Sequence, residues 1–593
     1  MKNSLKELGD FTATPRMIPI SLLAIAIGFV AAYVAWALLR LIGFFTNVFY
    51  YGHAGTALVS PAGNHLGWFA ILVPAAGGLI VGYMAYYGSE RIRGHGIPEA
   101  LESILINGSK VEPRLAILKP LSAAISIGSG GPFGAEGPII VTGGAIGSVV
   151  AQLFRLTAAE RKTLLVAGAA AGMSATFATP VAAVLLAVEL LLFEWKPRSV
   201  IPVALASGTA CAARRYILGL GPLFPVQAHT VFLGPNALLG CVAAGLLAGC
   251  LAAVVTQGVY TTEDLFRKLP IHWKWWPAIG GIAVGLGGLI FPQALGVGYD
   301  TIGSMLQGDV PRTVFAGVLL VKSTIWVISL GSGTSGGVLA PLLMMGAALG
   351  GVEAAFLPSG GVGFWPLVSM GAMLAGTMGA PFTAVLFALE LTHDIHMLLP
   401  LLIASMIAYG ITVLLLKRSI LTEKIARRGY HLTREYATDP LEILFVHEVM
   451  RTQIVALPAQ ATVESLRDTL IREPQRRGQH LYPVVDGDRR LKGVVTRSEL
   501  RKLTALNDAS VSLGDVLRQP VVASPDEPLR AVVFRMAETG FTRMPVVEDG
   551  RLAGMVSLYD LLMARVRNLH EERTREQVLR WRLPFGSQAL KKD

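Results

Sequence analysis

A long apolar region, broken repeatedly by glycine and proline, occupies most of the chain. Apolar segments follow one another from about Met17 to Leu416, and long ones such as 18–50 and 236–259 can cross a bilayer at a tilt. Shorter, interrupted segments cover residues 139–153, 181–193, 338–349 and 382–391. Broken helices are tolerated in lipid only where protein or a cavity surrounds them. The sequence therefore predicts a polytopic α-helical membrane protein with many tilted and broken helices.

The composition of the chain agrees with a membrane location. Hydrophobic types make up 53% of the 593 residues and charged types only 15%, whereas a soluble protein has roughly a quarter charged residues. The net charge of +11 comes largely from basic residues that border apolar segments, as in cytoplasmic anchoring loops, so it requires no nucleic-acid partner. Cys211, Cys241 and Cys250 lie in apolar context without metal-ligand spacing, so neither a disulfide framework nor a metal site is predicted.

A glycine-rich segment occurs twice in the apolar region. "ISIGSGGPFGAEGP" (125–138) aligns without a gap with "ISLGSGTSGGVLAP" (328–341), and seven positions are identical. A lysine precedes each copy, Lys119 in the first and Lys322 in the second. A chance match of two glycine-rich loops is the alternative, and the repeated lysine argues against it.

A further pair of matching segments supports an internal duplication. "AVLLAVEL" (183–190) matches "AVLFALEL" (384–391), and each copy follows a proline. Matching broken segments in two halves are typical of inverted-repeat transporters and indicate where the binding site lies. We therefore predict a membrane domain over 17–420 with repeats at about 17–218 and 235–420.

Glycine-rich turns open several of the short helices. Three of them, at 94–100, 134–140 and 336–343, are each followed by a proline early in the next helix. Exposed backbone N–H groups and the positive end of the helix dipole suit an anion. If the turns converge, they form a cage that holds an anion weakly enough to release it. Lys119 either adds positive potential to this cage or is an interfacial anchor.

One carboxylate, Glu136, lies inside the first copy of the repeat. In its ionised form it can occupy an anion position, and in its protonated form it can swing away. Simple capping of a helix N-terminus is the alternative. Its position within the repeated segment favours a gating role.

From about Leu441 the chain changes to a soluble α/β pattern, which is also duplicated. "YPVVDGDRRLKGVVTRSEL" (482–500) parallels "MPVVEDGRLAGMVSLYDL" (544–561), with strand, turn, strand and helix start in the same order. The predicted boundaries are 1–16 for a cytoplasmic N-terminus, 421–440 for a linker, 441–505 and 506–570 for the two α/β repeats, and 571–593 for a basic tail.

The motifs "GHGIPE", "GAEGP" and "GGVLAP" resemble the signatures of the CLC chloride channels and proton/chloride antiporters, in the same order. The C-terminal repeats resemble a tandem pair of CBS domains. Together the resemblance covers about residues 15–568. It implies an inverted-repeat homodimer in the cell membrane, with one pore per subunit, chloride or a similar small anion as the transported species, and both termini in the cytoplasm.

The resemblance also implies roles for individual residues. Glu136 corresponds to the gating glutamate. The residues expected to offer groups to the anion are His95, Gly96, Ile97, Gly134, Ala135, Gly137, Val338, Leu339 and Leu421, with Lys119 contributing to the electrostatics of the pore. His95 stands where the family usually has serine, and its imidazole either donates to the anion or turns towards a carbonyl.

The chain departs from the family pattern at several positions. Ala135 replaces a basic residue, Leu339 replaces a phenylalanine, and Leu421 stands at the position of the pore tyrosine. The proton-accepting glutamate of the antiporters aligns with Leu190, which cannot relay a proton. This last departure favours a passive anion channel gated by Glu136, with weak or absent proton antiport.

Three other functions fit the sequence less well than the channel. A proton-coupled antiporter that uses water or another acid such as Glu189 is the main alternative. A CBS-regulated cation transporter is less favoured, because it would need acidic residues facing a hard cation. An enzyme would need a nucleophile with a base or a metal cluster, and the sequence indicates no catalytic and no metal-binding residue.

The CBS resemblance implies an adenine-nucleotide site for ATP, ADP or AMP, and no cofactor is expected to be required. A hydroxyl followed three residues later by an acid occurs as Thr496 with Glu499 and as Ser557 with Asp560. The acid could accept hydrogen bonds from ribose hydroxyls. The same spacing also fits a helix capping box, so both interpretations stay open.

Overall fold

A computed structural model describes residues 15–229, 234–416, 418–429, 440–462, 465–467, 479–506 and 513–567. The chain divides into two compact units, Met1–Arg434 and Glu435–Asp593, which are described separately. The predicted basic tail 571–593, most of the predicted N-terminus 1–16 and residues 430–439 of the predicted linker lie outside the described residues.

In the described part of the first unit, helices joined by turns and loops make up the regular secondary structure. Its first repeat contains α1 (Met17–Thr46), α2 (Leu72–Tyr87), α3 (Ile97–Leu105), α4 (Leu115–Gly128), α5 (Glu136–Leu153), α6 (Ala158–Phe177), α7 (Pro180–Leu186) and α8 (Pro197–Ile217). Its second repeat contains α9 (Pro235–Arg267), α10 (Trp276–Ile290), α11 (Tyr299–Gln307), α12 (Arg312–Gly317), α13 (Ser323–Gly331), α14 (Leu339–Glu353), α15 (Phe364–Met378), α16 (Pro381–Thr392), α17 (Leu398–Leu415) and α18 (Ile420–Arg427). Single π-helical turns extend α7 over Ala187–Leu192 and join α12 to α13 over Val318–Lys322.

Long apolar helices and short buried helices coexist in this unit. Among the described residues, six helical segments are long and apolar enough to cross a membrane: Met17–Tyr51, Gly67–Tyr87, Glu136–Leu153, Pro235–Arg267, Arg312–Gly331 and Ile395–Arg427. In contrast, every residue of the shorter helix α15 is buried. The predicted architecture of long tilted helices around short, protein-enclosed ones is confirmed, since enclosure supplies partners for interrupted backbone.

The two repeats pack against each other in a reciprocal way. In α2, a Cβ placed on Gly78 would lie 2.2 Å from the carbonyl oxygen of Pro277 in α10. In α10, a Cβ placed on Gly281 would lie 2.3 Å from the carbonyl oxygen of Pro74 in α2. Each helix therefore needs glycine where the backbone of its counterpart approaches, which is the close packing expected of small residues in membrane helices.

The second unit carries two small sheets, one from each α/β repeat. Its elements are α19 (Pro440–Ile443), α20 (Val446–Val449), β1 (Leu457–Pro458), β2 (Leu481–Val485), β3 (Leu491–Thr496), α21 (Arg497–Leu506), α22 (Leu529–Thr539), β4 (Arg543–Glu548) and β5 (Arg551–Ser557), followed by a helix over 558–567. Strand β1 is parallel to β2, and β2–β3 and β4–β5 are antiparallel hairpins. The register shifts between Val484 and Val485 in one hairpin and between Val546 and Val547 in the other. The duplication therefore extends to the irregularity of the strands.

Candidate anion-binding site

The three glycine-rich turns that precede α3, α5 and α14 are joined by backbone hydrogen bonds. Gly134 and Gly337 bond to each other twice, with N···O distances of 3.1 and 2.9 Å. The N–H of Gly94 donates to the carbonyl of Thr334 at 3.0 Å, and the N–H of Gly336 donates to Gly94 at 3.4 Å. The turns are distant in sequence, and the fold brings the N-termini of their helices to one place.

Glycine is required at this junction because the backbones approach closely. A Cβ on Gly337 would lie 2.6 Å from the carbonyl oxygen of Gly134, and one on Gly137 would lie 2.1 Å from that of His95. A Cβ on Gly134 would lie 1.7 Å from Oε2 of Glu136. The carboxylate of Glu136 therefore occupies the volume that a side chain at position 134 would need.

Glu136 is the first residue of α5 and its side chain is fully buried. Its Oε1 accepts a hydrogen bond of 3.0 Å from the hydroxyl of Tyr299. Among the described residues, Oε2 is buried without a hydrogen-bond partner, and the carboxyl group as a whole lies near the backbone amides of Glu136 and Ala340. The helix is capped by Ala135 without a side-chain bond, so Glu136 does not act as a conventional N-cap. Its carboxylate lies between the N-termini of α5 and α14.

His95, Gly96 and Ile97 form the turn into α3. His95 is 4% exposed, and within the described part of the chain its Nδ1 has no hydrogen-bond partner. Gly96 has φ of +92°, a conformation that favours glycine, and Ile97 begins the helix. The expectation that His95 turns towards a carbonyl finds no support at Nδ1, which remains available as a donor or acceptor.

A cavity of about 290 Å³ opens beside His95. We call it the basic cavity, and its charged lining residues include Arg93, Glu99, Lys424, Arg427 and Arg428. The Nζ of Lys424 lies 2.5 Å from Oε1 of Glu99, while Oε2 of Glu99 is buried without a hydrogen bond among the described residues. The guanidinium of Arg93 lies over the ring of Trp273 at 4.5 Å. The turn that carries His95 thus borders a space whose lining also includes Arg267, Glu90 and Glu263, so that basic side chains outnumber acidic ones by five to three.

Lys119 and Lys322 are both fully buried and make matching contacts. The Nζ of Lys119 donates to the carbonyls of Ile92 and Gly94, at 2.7 Å each. The Nζ of Lys322 donates to the carbonyls of Ala294 and Gly296, at 2.9 and 2.7 Å. The interpretation of Lys119 as an interfacial anchor is therefore wrong, because its ammonium group lies inside the protein and holds the turn that carries His95.

Sequence reasoning missed Tyr299. The "GVGY" turn (296–299) stands in the second repeat as "GHGI" (94–97) stands in the first, with a buried lysine bonded to each. The glycines have positive φ in both turns: +82° and +92° in the first, +64° and +78° in the second. A search for the G-x-G pattern one residue short of the interval shown by the repeat could have found this fourth turn.

The remaining predicted residues occupy several environments. Val338 is the N-cap and Leu339 the first residue of α14, and both are buried beside the junction. Leu190 is fully buried in the π-helical turn after α7. Leu421, in α18, is also fully buried, and among the described residues it does not line the basic cavity.

The four hydroxyl and acid residues of the second unit form two capping boxes. The N–H and Oγ1 of Thr496 donate to Oε2 of Glu499 at 2.9 and 2.7 Å, and Arg518 forms an ion pair with the same acid. In the other repeat, the N–H and Oγ of Ser557 donate to Oδ2 of Asp560 at 2.9 and 2.5 Å.

The two boxes do not converge on one cavity. Thr496 lines a cavity of about 160 Å³ together with His480, Arg518, Phe541 and Arg543. Among the described residues, the lining of this cavity does not include Glu499, Ser557 or Asp560. Arg451 binds Asp560 at 2.8 Å, so both acids already have arginine partners. The described residues also contain no cluster of three or more side chains able to hold a metal ion.

Together, the fold and the site define an inverted-repeat membrane protein whose buried centre is built from helix N-termini and one carboxylate. Residues 77–413 match the family model described as "Voltage gated chloride channel", and residues 446–505 and 513–567 each match the CBS domain. The chain belongs to the voltage-gated chloride channel, or CLC, family and carries a pair of CBS domains at its C-terminal end. The resemblance inferred from the three motifs is confirmed.

Relatives and solved structures agree with this assignment. The "Voltage-gated ClC-type chloride channel ClcB" of Escherichia coli O81 (strain ED1a) is 30% identical over 429 residues, which cover 70% of this chain and 99% of that protein. The crystal structure of a slow cyanobacterial Cl⁻/H⁺ antiporter matches with a TM-score of 0.62 at 21% identity, over 70% of this chain and 99% of that one. A eukaryotic CLC transporter matches with a TM-score of 0.57 at 19% identity, over 92% and 98%.

Proposed function

We propose that this protein is a passive chloride channel of the CLC type, gated by Glu136 and regulated by its CBS pair. The observation that supports this proposal most directly is the position of the Glu136 carboxylate, which fills the space between the N-termini of α5 and α14. Backbone amides and helix dipoles make such a place suitable for an anion. The E. coli relative named above as a chloride channel supports chloride as the transported ion.

The gate follows from competition between the carboxylate and the anion. When ionised, Glu136 supplies its own negative charge to the amides and excludes chloride. When protonated, it loses this attraction, and the side chain leaves its place to the incoming ion. The Nδ1 of His95 would then offer a further donor on the side of the basic cavity.

The absence of an acid at position 190 supports passive conduction. Leu190 occupies the position that the CLC resemblance assigns to the proton-accepting glutamate, and its aliphatic side chain has no group that can carry a proton. Strict exchange of chloride for protons would need another acid on that route.

A proton-coupled chloride antiporter is the second candidate, and Glu99 favours it. This carboxylate lines the basic cavity four residues from His95, and one of its oxygens has no hydrogen bond among the described residues. Glu99 could accept protons in place of the missing glutamate once its ion pair with Lys424 opens.

Flux through proteoliposomes that contain the full chain separates the two candidates. A chloride gradient should drive chloride movement with little uphill movement of protons, as read by a pH probe. Glu136→Ala should leave chloride flux intact or faster and independent of pH, while Glu112→Ala, at an exposed position, serves as the control. Loss of flux in Glu136→Ala would overturn the gate. Robust proton pumping that Glu99→Gln abolishes would establish the antiporter instead.

We propose that the CBS pair binds an adenine nucleotide at the cavity beside Thr496. His480, Arg518 and Arg543 would attract phosphates, and Phe541 offers a ring for stacking. Calorimetry of the full-length protein with ATP, ADP and AMP tests this, with Arg518→Ala expected to weaken binding and Arg489→Ala as the control. No heat with any of the three nucleotides would exclude the site.

We also propose that the protein is a homodimer in the cell membrane with both termini in the cytoplasm. Apolar side chains exposed on α7, α8 and α16, including Val181, Ile201, Leu205 and Phe382, offer a surface for a second copy. Mass determination in detergent tests the dimer. Accessibility of cysteines introduced near each terminus to an impermeant reagent tests the orientation.

A further inference from the structure

Tyr299 joins a second cavity to the carboxylate of Glu136. A space of about 110 Å³ is lined by Val297, Gly298, Tyr299 and Asp300, together with residues of α1 and α4. The hydroxyl of Tyr299 reaches from this space to Oε1 of Glu136 at 3.0 Å. Tyr299 therefore lies where an ion would pass between this cavity and the position of the carboxylate.

The ring of Tyr299 is held so that its hydroxyl has little freedom. Phe177 and Phe224 contact it edge-on, with ring centroids at 6.2 and 6.1 Å. Aromatic contacts of this geometry are favourable and fix the ring plane. Gly298, with φ of +78°, places the residue at the start of α11. The hydroxyl of Tyr299 is thus directed at the carboxylate of Glu136.

The mirrored turn of the other repeat has no such donor. Tyr299 begins α11 as Ile97 begins α3, and isoleucine cannot donate a hydrogen bond. Two otherwise matching turns therefore differ at the first residue of the helix that follows each of them. Of these two turns, only the one that ends at Tyr299 supplies a hydroxyl donor to Glu136.

We propose that Tyr299 is a positioning residue that holds the ionised carboxylate of Glu136 in the anion position and so sets the pH at which the gate releases. This inference rests on the gating role proposed for Glu136. A hydrogen bond to an ionised oxygen is stronger than one to a neutral oxygen, so the tyrosine stabilises the closed, ionised gate selectively. After the carboxylate leaves, the same hydroxyl is available to the anion that replaces it.

Other charged groups around the gate stay in place when the hydroxyl is removed. Among the described residues, Lys322 faces Glu136 from the turn before α13, and Asp300 in turn faces Lys322. Lys119 and His95 lie on the side of the basic cavity. Tyr299→Phe alters none of these charges, so a change in pH dependence would report the lost hydrogen bond.

The test compares the pH dependence of chloride flux in proteoliposomes for the full-length wild type and its variants. Without the hydroxyl, the ionised gate is less stable, so protonation and release occur at higher pH. We expect Tyr299→Phe to raise the midpoint by about one pH unit, and flux on the alkaline side about tenfold. Tyr50→Phe is the matched control, because it removes a buried hydroxyl that donates to the carbonyl of Ser129 at 3.0 Å.

Glu136→Gln separates failure of the tyrosine role from failure of the gate. Its flux should be independent of pH, and adding Tyr299→Phe should cause no further change. A flat Glu136→Gln profile with an unshifted Tyr299→Phe midpoint would overturn the tyrosine role alone. A wild-type profile in Glu136→Gln would overturn both. If Tyr299→Phe does not fold, 3-fluorotyrosine at position 299, a stronger donor of nearly the same size, should lower the midpoint, and an unchanged midpoint would refute the inference.

Discussion

Glu189 caps a helix of the other repeat through Thr383. Its Oε2 accepts from the backbone N–H of Thr383 at 2.9 Å and from the hydroxyl at 2.6 Å, in the first turn of α16. The equivalent contact runs in the opposite direction, because Glu390 accepts hydrogen bonds from the N–H groups of Val181 and Ala182, at 3.0 and 2.8 Å, in the first turn of α7. Each repeat therefore satisfies the free N–H groups that open a helix in its counterpart.

The reciprocal caps predict a structural role for Glu189. Glu189→Ala and Glu390→Ala should each lower stability by about 1–2 kcal/mol, because each removes the partner of two donors at a helix N-terminus. Thermal unfolding in detergent measures this for both variants. Chloride flux should keep its wild-type pH dependence. A Glu189→Gln variant that loses proton movement at unchanged stability would instead identify Glu189 as a proton relay.

The duplication and the meeting of the turns could be predicted from sequence because glycine and proline mark breaks that lipid does not tolerate. The identical positions in 125–138 and 328–341 are enough to place the two halves against each other. The position of Glu136 follows from its place in that repeat. The repeat does not indicate in which direction an individual side chain points.

The residues that the sequence missed or left between two interpretations could be assigned only from contacts that the fold creates. Tyr299 is an aromatic residue in apolar context, and only the fold places its hydroxyl on Glu136. Lys119 has the sequence context of an anchor, but its carbonyl partners come from the Gly94 turn. In the CBS pair, the spacing of Thr496 and Glu499 fits two chemistries equally well, and the contacts observed are those of a capping box.

Gly134 should be a direct probe of the closed gate. Gly134→Ala introduces a Cβ 1.7 Å from the present position of Oε2 of Glu136, and the positive φ that restricts other glycines is absent there. We expect the carboxylate to be displaced and flux at alkaline pH to approach that of Glu136→Ala. Gly208→Ala is the control, since nothing lies within 4 Å of its added Cβ. Wild-type flux at alkaline pH in Gly134→Ala would show that the carboxylate does not need this space.

The ion pair between Glu99 and Lys424 should matter strongly for stability, and the loss of one partner should cost more than the loss of both. Lys424→Met would leave a buried carboxylate unpaired and lower stability by about 3–5 kcal/mol. The double variant Glu99→Gln with Lys424→Met should recover most of this loss. Arg428→Met breaks the more exposed pair with Glu102 and should cost less than about 1 kcal/mol. Thermal unfolding in detergent ranks the variants, and equal effects of Lys424→Met and Arg428→Met would contradict a buried pair.

Glu499 should stabilise the second unit in a pH-dependent way. Burial disfavours its ionised form, but the hydrogen bonds from Thr496 and the ion pair with Arg518 outweigh burial and hold the pKa of Glu499 below its ordinary value. Because the pKa is lower in the folded than in the unfolded state, this stability is present above the ordinary carboxyl range and is lost as pH falls through the folded-state pKa. We expect Glu499→Gln to weaken the unit at pH 7, by less than about 1 kcal/mol, and to differ less from wild type on acidification. Hydrogen exchange of β3 and α21 in the full-length protein, corrected for intrinsic rates, measures the difference, with Glu538→Gln as the exposed control. A constant difference across the acid range would mean that the charge of Glu499 contributes nothing.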